Sequence, residues 1–189
     1  MGEEVRKSVG KSVGKRVGNS KAENKAVHIE LVAATTAQHI EATRAIFSEY
    51  AQQLVQHSGV DLCFQNFDAE LEGLPGEYAS PAGTLLLAWV NGELAGCGAM
   101  RALPDVDYAN ACEMKRLFVR DAFRKFGLGR LMAKALIDAA RQAGYSAMLL
   151  DTLDEMEVAR GLYTTLGFEE IPPYYFNPIA GAHYLKVDL

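Results

Sequence analysis

The sequence predicts a mixed α/β fold, with a central sheet whose strands run mostly antiparallel and with helices packed on that sheet. Some short segments are continuously apolar or alternate between apolar and polar residues, which is typical of strands. Longer segments between them have apolar residues that recur at helical spacing. The pair Asn91-Gly92 lies between two strand-like segments and predicts a tight hairpin, so these two strands are expected to be antiparallel. Helices that separate the later strands complete the pattern of a mixed sheet.

Each element is assigned from its apolar spacing and from the residues that end it. The turn-forming run Leu74-Pro75-Gly76 ends the second helix, and the polar segment 104–110 separates two strands. In chain order the predicted elements are a strand at 28–33, helices at 37–56 and within 61–73, strands at 83–90, 94–103 and 112–119, a helix that begins near residue 128, a strand at 145–150, a helix at 155–166, and strands at 168–171 and 183–187.

The helix that begins near residue 128 has the clearest pattern. Its charged residues lie away from one apolar face, and Gly144 stands where a helix commonly ends in a left-handed residue. The residues assigned to the apolar face are Leu128, Leu131, Met132, Ala135, Leu136, Ala139 and Ala143.

Length and composition indicate one soluble domain. A chain of 189 residues that is 49% hydrophobic can bury a core, and no apolar stretch is long enough to cross a bilayer. Residues 1–27 lack the apolar core of a secretory signal. The odd number and wide spacing of Cys63, Cys97 and Cys112 favour reduced thiols over disulfides or a metal site. We therefore expect a cytoplasmic protein that has no metal and does not bind membranes.

The charge is distributed unevenly. Residues 1–27 carry seven Lys or Arg and three Asp or Glu, a net charge of +4, so residues 28–189 carry −9 of the total of −5. Three Val-Gly repeats at 7–18 indicate a flexible basic tail over 1–27, which leaves 28–189 as the folded domain. An acidic domain is not expected to bind nucleic acid, but it suits a cationic acceptor such as an amine.

The segment 124–130 is a candidate phosphate site. It follows a strand and opens a helix, where several backbone N–H groups have no partner and the helix dipole is positive. Gly127 and Gly129 allow a ligand to approach the backbone, and Arg124 and Lys125 add positive charge. These residues predict a phosphorylated cofactor.

Two motifs, separated along the chain as they are in the GNAT superfamily of N-acetyltransferases, resemble the motifs of that superfamily. The strand 112–119 followed by Arg124-x-x-Gly127-x-Gly129 and an amphipathic helix resembles the superfamily's central motif. About 35 residues later, the sequence Leu-Tyr-Thr-Thr-Leu-Gly-Phe at 162–168 resembles its second motif. The element order over 28–189 is also similar to the GNAT fold. The sequence Ile-Pro-Pro-Tyr-Tyr-Phe-Asn-Pro at 171–178 resembles a subgroup of small bacterial GNAT proteins.

The resemblance implies acetyl-CoA as acyl donor. Backbone amides of the glycine segment would hold the pyrophosphate, and the edge of the preceding strand would pair with the pantetheine arm and polarise the thioester carbonyl. The residues implied in cofactor binding are Leu117, Phe118, Val119, Arg124, Lys125, Phe126, Gly127, Leu128, Gly129 and Arg130. The chain departs from the family pattern at Lys125, where glycine is frequent, and at Met156, where many members have asparagine.

The resemblance also implies two catalytic groups. Tyr163 matches the tyrosine that protonates the leaving thiolate, with core packing as the alternative. Glu113 matches a general-base glutamate, and an ion pair with Lys115 or Arg116 is an equally supported alternative. His183 is a further candidate base, although a lone histidine in a terminal strand favours a structural role.

The acceptor is expected to be a small-molecule primary amine such as an amino acid or a polyamine. We assign Tyr174, Tyr175 and Asn177 to its binding, and Tyr78 as a further part of an aromatic wall, while packing is expected for at least one of the adjacent tyrosines. A protein or peptide N-terminus is the alternative acceptor, and many relatives form dimers, so a homodimer is compatible with the resemblance.

Two other functions compete with this interpretation. A dinucleotide-binding enzyme is suggested by Gly127-x-Gly129 with Asp151 22 residues later, but Met132 occupies the place of the third glycine. A catalytically silent module that binds acyl-CoA as a sensor has the same fold, because a fold does not determine a function.

Overall fold

The computed structural model describes residues 27–59 and 66–189. The predicted basic tail lies outside these residues except for Val27, so its flexibility stays a prediction. Within the described ranges, no helix combines the length and the apolar character that crossing a bilayer requires. Cys97 and Cys112 are buried free thiols, while Cys63 lies outside the described residues.

The described residues form seven strands and four helices around one sheet. In chain order the elements are β1 (Ile29–Ala33), α1 (Ala37–Ser58), α2 (Phe67–Gly73), a short 3₁₀ helix (Gly76–Tyr78), β2 (Thr84–Val90), β3 (Glu93–Ala102), β4 (Ala111–Val119), a second 3₁₀ helix (Asp121–Phe126), α3 (Leu128–Ala143), β5 (Ala147–Leu153), α4 (Glu157–Thr165), β6 (Glu169–Ile171) and β7 (Ala182–Asp188).

The sheet confirms the predicted mixed, mostly antiparallel architecture. Its strand order is β1-β2-β3-β4-β5-β7-β6, and β4 with β5 is the one parallel pair among the described strands. A dinucleotide-binding fold needs a series of parallel strands, so that alternative is wrong.

The hairpin between β2 and β3 forms as the sequence predicts. Both turn residues have positive φ, 52° at Asn91 and 82° at Gly92. This is the turn geometry that matches the twist of the flanking strands, and Asn-Gly adopts it at low cost. Val90 consequently pairs with Glu93 across the turn.

Helices cover both faces of the sheet. On one face, α1 buries Ile46 and Phe47 against Leu87 of β2 and Cys97 of β3. On the other face, α3 buries Leu136 and Ala140 against a second set of strand residues: Met100, Cys112, Met114 and Met148. The sheet is therefore the middle of three layers, and side chains that alternate along β4 and β5 enter two different environments.

The predicted apolar face of α3 is partly wrong. The residues that α3 buries are Leu128, Met132, Ala133, Leu136, Ile137 and Ala140. At 100° per residue, Leu131 lies about 150° from the centre of this stripe, and its side chain is exposed. Ala143, the last helical residue, is exposed as well. Ala133, Ile137 and Ala140 fill the space against the sheet instead.

Gly96 is required where β3 packs against β4. A Cβ at this position would lie 2.7 Å from the carbonyl oxygen of Phe118, and because that atom belongs to the backbone, β4 itself would have to move. We expect Gly96→Ala to lower the free energy of unfolding by about 1–3 kcal/mol. Urea unfolding followed by circular dichroism measures it.

The matched control is Gly161→Ala, because a Cβ at Gly161 in α4 meets no atom within 4 Å. This change should raise stability by about 0.5–1 kcal/mol, since alanine favours a helix more than glycine does. Wild-type stability in Gly96→Ala would contradict the close packing of β3 and β4.

Candidate active site

An irregularity in β4 shapes the centre of the sheet. Ala99 of β3 pairs with Lys115, but Cys97 pairs with Phe118, so Arg116 and Leu117 both stand opposite Gly98. Arg116 has a φ of 57°, and the result is a β-bulge, which bends the strand and redirects its side chains. Because of it, Lys115 and Arg116 line the same two cavities.

The strands β4 and β5 separate close to this bulge. They are paired only from Ala111 with Ala147 to Glu113 with Leu149, although both strands continue. A cleft of about 80 Å³ opens between them. The residues that line it are Tyr50, Leu54, Met114, Lys115, Arg116, Leu117, Asp151, Thr152, Leu153, Met156, Ala159, Tyr163, Asn177 and Ile179. We call it the donor cleft.

The predicted phosphate segment forms an uncapped helix start. Gly127 precedes α3 with a φ of 73°, and no side chain caps the helix there. The first helical hydrogen bond runs from the Leu131 amide to the Gly127 carbonyl, so the amides of residues 128–130 have no acceptor within the helix. These donors and the helix dipole suit an anion. Gly127 is required for its positive φ rather than for space, since a Cβ there meets no atom within 4 Å.

The charged side chains of this segment lie around the helix start. Arg124 is exposed and pairs with Asp121 at 2.8 Å, while Lys125 lies over the ring of Phe126. Arg130 donates a hydrogen bond to the Thr165 hydroxyl, which links α3 to α4.

The three predicted strand residues face different environments. Leu117 lines the donor cleft. Phe118 packs in the core on the α1 side, with its ring centre 5.5 Å from that of Tyr50, and Val119 packs in a cluster that contains Leu128 of α3. Contact of a ligand with these residues would therefore use the backbone of β4 and the side chain of Leu117.

Tyr163 of α4 lines the donor cleft. It is buried, with its ring against Phe168, and no residue in the described ranges forms a hydrogen bond with its hydroxyl group. Burial raises the pKa of Tyr163 well above its ordinary value, so the phenol keeps its proton at neutral pH. Met156 also lines this cleft, and its sulfur lies 3.7 Å from the Thr152 hydroxyl.

A second cavity of about 270 Å³ adjoins the bulge. We call it the acceptor cavity. The residues that line it are Glu70, Arg101, Leu103, Asp105, Val106, Glu113, Lys115, Arg116, Tyr174, Tyr175 and Phe176. Tyr174 and Tyr175, which were assigned to substrate binding, both line this cavity, and their contact with a substrate stays a prediction. Phe176 beside them is 87% exposed.

Two other residues that were assigned to the acceptor, Asn177 and Tyr78, lie elsewhere. Asn177 lines the donor cleft rather than the acceptor cavity, and its amide donates to the Tyr175 hydroxyl at 3.2 Å. The prediction that Tyr78 faces the acceptor is wrong, because Tyr78 is buried under α1 and donates its hydroxyl proton to Glu70 at 2.7 Å.

Glu113 is held in a network of donors on the floor of the acceptor cavity. Its side chain is 1% exposed. One carboxylate oxygen accepts hydrogen bonds from Arg101 at 2.9 Å, and the other accepts one from the Tyr174 hydroxyl at 2.8 Å and lies 3.8 Å from the Lys115 ammonium. The ion-pair alternative is therefore confirmed for Lys115. Arg116 instead forms a bidentate pair with Glu70.

Charges that the sequence left unassigned complete the site. Asp151 lies 3.8 Å from Lys115. The pKa of Tyr175 is raised mainly by burial, and then by the charge of Asp151 and a hydrogen bond with it. Burial alone would raise the pKa of Glu70, but hydrogen bonds and charge from Arg116 outweigh it and lower that pKa. For Asp151 the signal was present in the sequence as one charged residue within the otherwise mostly apolar strand β5, whereas Glu70 lies among other acidic residues of α2 and gives no such signal.

His183 lies outside both cavities. One ring nitrogen contacts Glu170 and the other contacts Asp154, each at 2.5 Å. Hydrogen bonds with Asp154 and then Glu170 raise the pKa of His183. Both nitrogens are thus engaged, which agrees with the predicted structural role.

Comparison with known proteins gives a consistent picture. The model of the acetyltransferase (GNAT) family matches residues 40–168. The chain is 36% identical over 166 residues to an uncharacterized N-acetyltransferase of Schizosaccharomyces pombe, covering 87% of this chain and 98% of the relative. It is 28% identical to an uncharacterized N-acetyltransferase of Dictyostelium discoideum, covering 80% of this chain and 95% of that one. The narrower resemblance of residues 171–178 stays a prediction.

Solved structures agree on the fold. A GNAT-family acetyltransferase of Staphylococcus aureus superposes with a TM-score of 0.68 at 18% identity, covering 85% of this chain and 99% of that chain. A putative acetyltransferase of Salmonella typhimurium, solved with its cofactor acetyl-CoA, superposes with a TM-score of 0.60 at 20% identity, covering 85% and 93%. At these identities the likeness concerns the fold alone.

The network around Glu113 predicts that two similar substitutions, each of a glutamate that pairs with Arg101, lower the free energy of unfolding by different amounts. Glu113→Gln removes the buried counter-charge that Arg101 and Lys115 share, leaves Lys115 with Asp151 alone, and should cost about 3–5 kcal/mol of unfolding free energy. Glu77, the other partner of Arg101, has a side chain that is 71% exposed. Glu77→Gln should therefore lower the free energy of unfolding by less than about 1 kcal/mol. Chemical denaturation measures both, and equal losses would refute the network as the buried anchor of this cavity.

Proposed function

The chain belongs to the acetyltransferase (GNAT) family, and on that premise we propose that it is an N-acetyltransferase that moves the acetyl group of acetyl-CoA directly to the primary amine of a small molecule. The observation that carries the proposal is the meeting of two cavities at the bulge of β4. One is bounded by separated strands and Tyr163, and the other contains buried charges.

The residues present fit acetyl-CoA as the donor. The uncapped start of α3 offers the amides of residues 128–130 to a pyrophosphate, and Arg124 and Lys125 supply positive charge beside it. From there the separated edge of β4 at residues 117–119 can pair with the pantetheine arm as an added strand does. In this proposal the thioester lies near the bulge, where the two cavities share Lys115 and Arg116.

The chemistry needs an acid and a base. The amine nitrogen attacks the thioester carbon, the carbon–sulfur bond breaks, and the leaving thiolate takes a proton. We assign this proton to Tyr163, because Tyr163 lines the donor cleft and its hydroxyl group forms no hydrogen bond with another residue of the described ranges.

For the base we favour Asp151 over Glu113. Asp151 is 16% exposed and lines the donor cleft, where the amine has to meet the thioester. Glu113 lies on the acceptor cavity only, and both of its carboxylate oxygens already accept hydrogen bonds within the protein, from Arg101 and Tyr174. Glu113 as base stays a prediction, and its contacts support the role of anchoring Arg101 and Lys115.

The acceptor cavity supports a small substrate. A volume of about 270 Å³ is at or just below the lower end of ligand pockets, roughly 300 Å³. A protein N-terminus stays the alternative acceptor, because the mouth beside the exposed Phe176 is open to solvent.

Tyr163→Phe tests the proposed acid. Loss of the proton donor should lower kcat by about 100-fold, while the KM for acetyl-CoA changes little because the ring still packs on Phe168. Thiol release from acetyl-CoA is measured with a panel of amino acids, polyamines, aromatic amines and short peptides.

Tyr145→Phe is the matched control, since Tyr145 donates its hydroxyl proton to the Ala82 carbonyl and lines neither cavity. An unchanged kcat in Tyr163→Phe would remove Tyr163 from the mechanism. Failure of the wild-type protein to acetylate every acceptor would favour the sensor function.

A further inference from the structure

Lys115 occupies the junction of the two cavities. Lys115 and Arg116 are the residues that line both. The guanidinium of Arg116 is bound to the Glu70 carboxylate, with Nε at 3.0 Å, so its charge is already paired by hydrogen bonds. Lys115 is therefore the cation at the junction whose charge a ligand can meet.

The ammonium group of Lys115 is buried, but the nearest carboxylates lie too far away to accept hydrogen bonds from it. Its side chain is 8% exposed, and its nearest carboxylate oxygens, on Glu113 and Asp151, each lie 3.8 Å away. These distances exceed the range of a hydrogen bond. The two carboxylates therefore balance the charge of Lys115 without taking up the three protons that it can donate.

Asp151 complements Lys115 on the donor side. Its carboxylate lines the donor cleft together with Tyr163. Lys115 and Asp151 thus present a positive and a negative group side by side, close enough to attract each other but too far apart for a direct hydrogen bond.

The remaining charges of the acceptor cavity argue against a strongly charged ligand. Three basic residues line it, Arg101, Lys115 and Arg116, against three acidic ones, Glu70, Asp105 and Glu113. A polyamine or a phosphate dianion would add uncompensated charge to a partly buried site, which is costly. A ligand with one positive and one negative group adds none.

We infer that the acceptor is an α-amino acid whose carboxylate binds the Lys115 ammonium while its amino group faces Asp151. The inference rests on the proposed function and names the substrate class of the same site. An α-amino acid carries both groups on one carbon, which suits two adjacent protein charges. The apolar lining formed by Leu103, Val106 and Phe176 then contacts the side chain, so amino acids with apolar side chains are the first to test.

The first experiment compares three compounds that differ only at the carboxylate: leucine, leucinamide and 3-methylbutylamine, and the same series built on phenylalanine. With wild-type protein and acetyl-CoA, the amino acid should have a kcat/KM about tenfold or more above its amide and amine, the effect of one charge-assisted hydrogen bond. Preference for the amide, the amine or a peptide would overturn the inference, while acetylation of those compounds would uphold the proposed function.

Lys115→Met should remove the preference, lowering the ratio of kcat/KM for the amino acid to kcat/KM for the amide about tenfold or more, whatever the variant does to the activity with both compounds. Lys186→Met is the control: Lys186 lies over the ring of Tyr108 as Lys115 lies over the ring of Tyr175, but Lys186 lines neither cavity. If Lys115→Met does not fold, the wild-type comparison of amino acid with amide still decides.

Calorimetry separates the inference from the proposed function. Binding of leucine to the wild-type protein with coenzyme A, absent for leucinamide and lost in Lys115→Met, supports the site even if no acetyl transfer is found, and in that case the proposed function alone fails. Neither binding nor turnover with any amino acid would overturn the inference.

Discussion

Arg116 and Leu117 of β4 stand opposite the single residue Gly98 of β3, and this bulge directs the β4 side chains that line the two cavities. Without the extra residue, side chains would alternate regularly between the two faces. The bulge instead sends Arg116 toward Glu70 of α2 and Leu117 toward the cleft beside β5. The pairing of β4 with β5 ends just before it, at Glu113, so that an open strand edge, the start of α3 and the buried charges come together.

The charges around this bulge are arranged as a chain of opposite signs that runs from the acceptor cavity to the donor cleft. Glu77 and Glu113 flank Arg101, and Glu113 and Asp151 flank Lys115. Buried charges of this kind add little net stability, because desolvation offsets their attraction, but the loss of one member exposes the rest to a large penalty. The arrangement therefore fixes the positions of side chains more than it stabilises the fold. A substrate that completes the pattern without adding net charge is favoured in such a site.

The sequence predicted the elements with local signals well. Asn91-Gly92 forms its hairpin, and Gly144 ends α3 with a φ of 86°, because both conformations depend on a few adjacent residues. The partners of Glu113, the burial of Tyr78 and the meeting of Lys115 with Asp151 depend on strand register and on a bulge, which apolar spacing does not reveal. The exposed position of Leu131 has the same origin, since only packing on the sheet determines which side of α3 is buried.

The central claim is that the β4 edge and the start of α3 bind one donor molecule, and hydrogen exchange of the backbone amides tests it most directly. Addition of acetyl-CoA should slow exchange at residues 117–119 and 128–130 together, because both segments lie on the proposed path of the cofactor, whereas NAD should leave both unchanged. Protection by acetyl-CoA that spares either segment, or equal protection by NAD, would contradict the account.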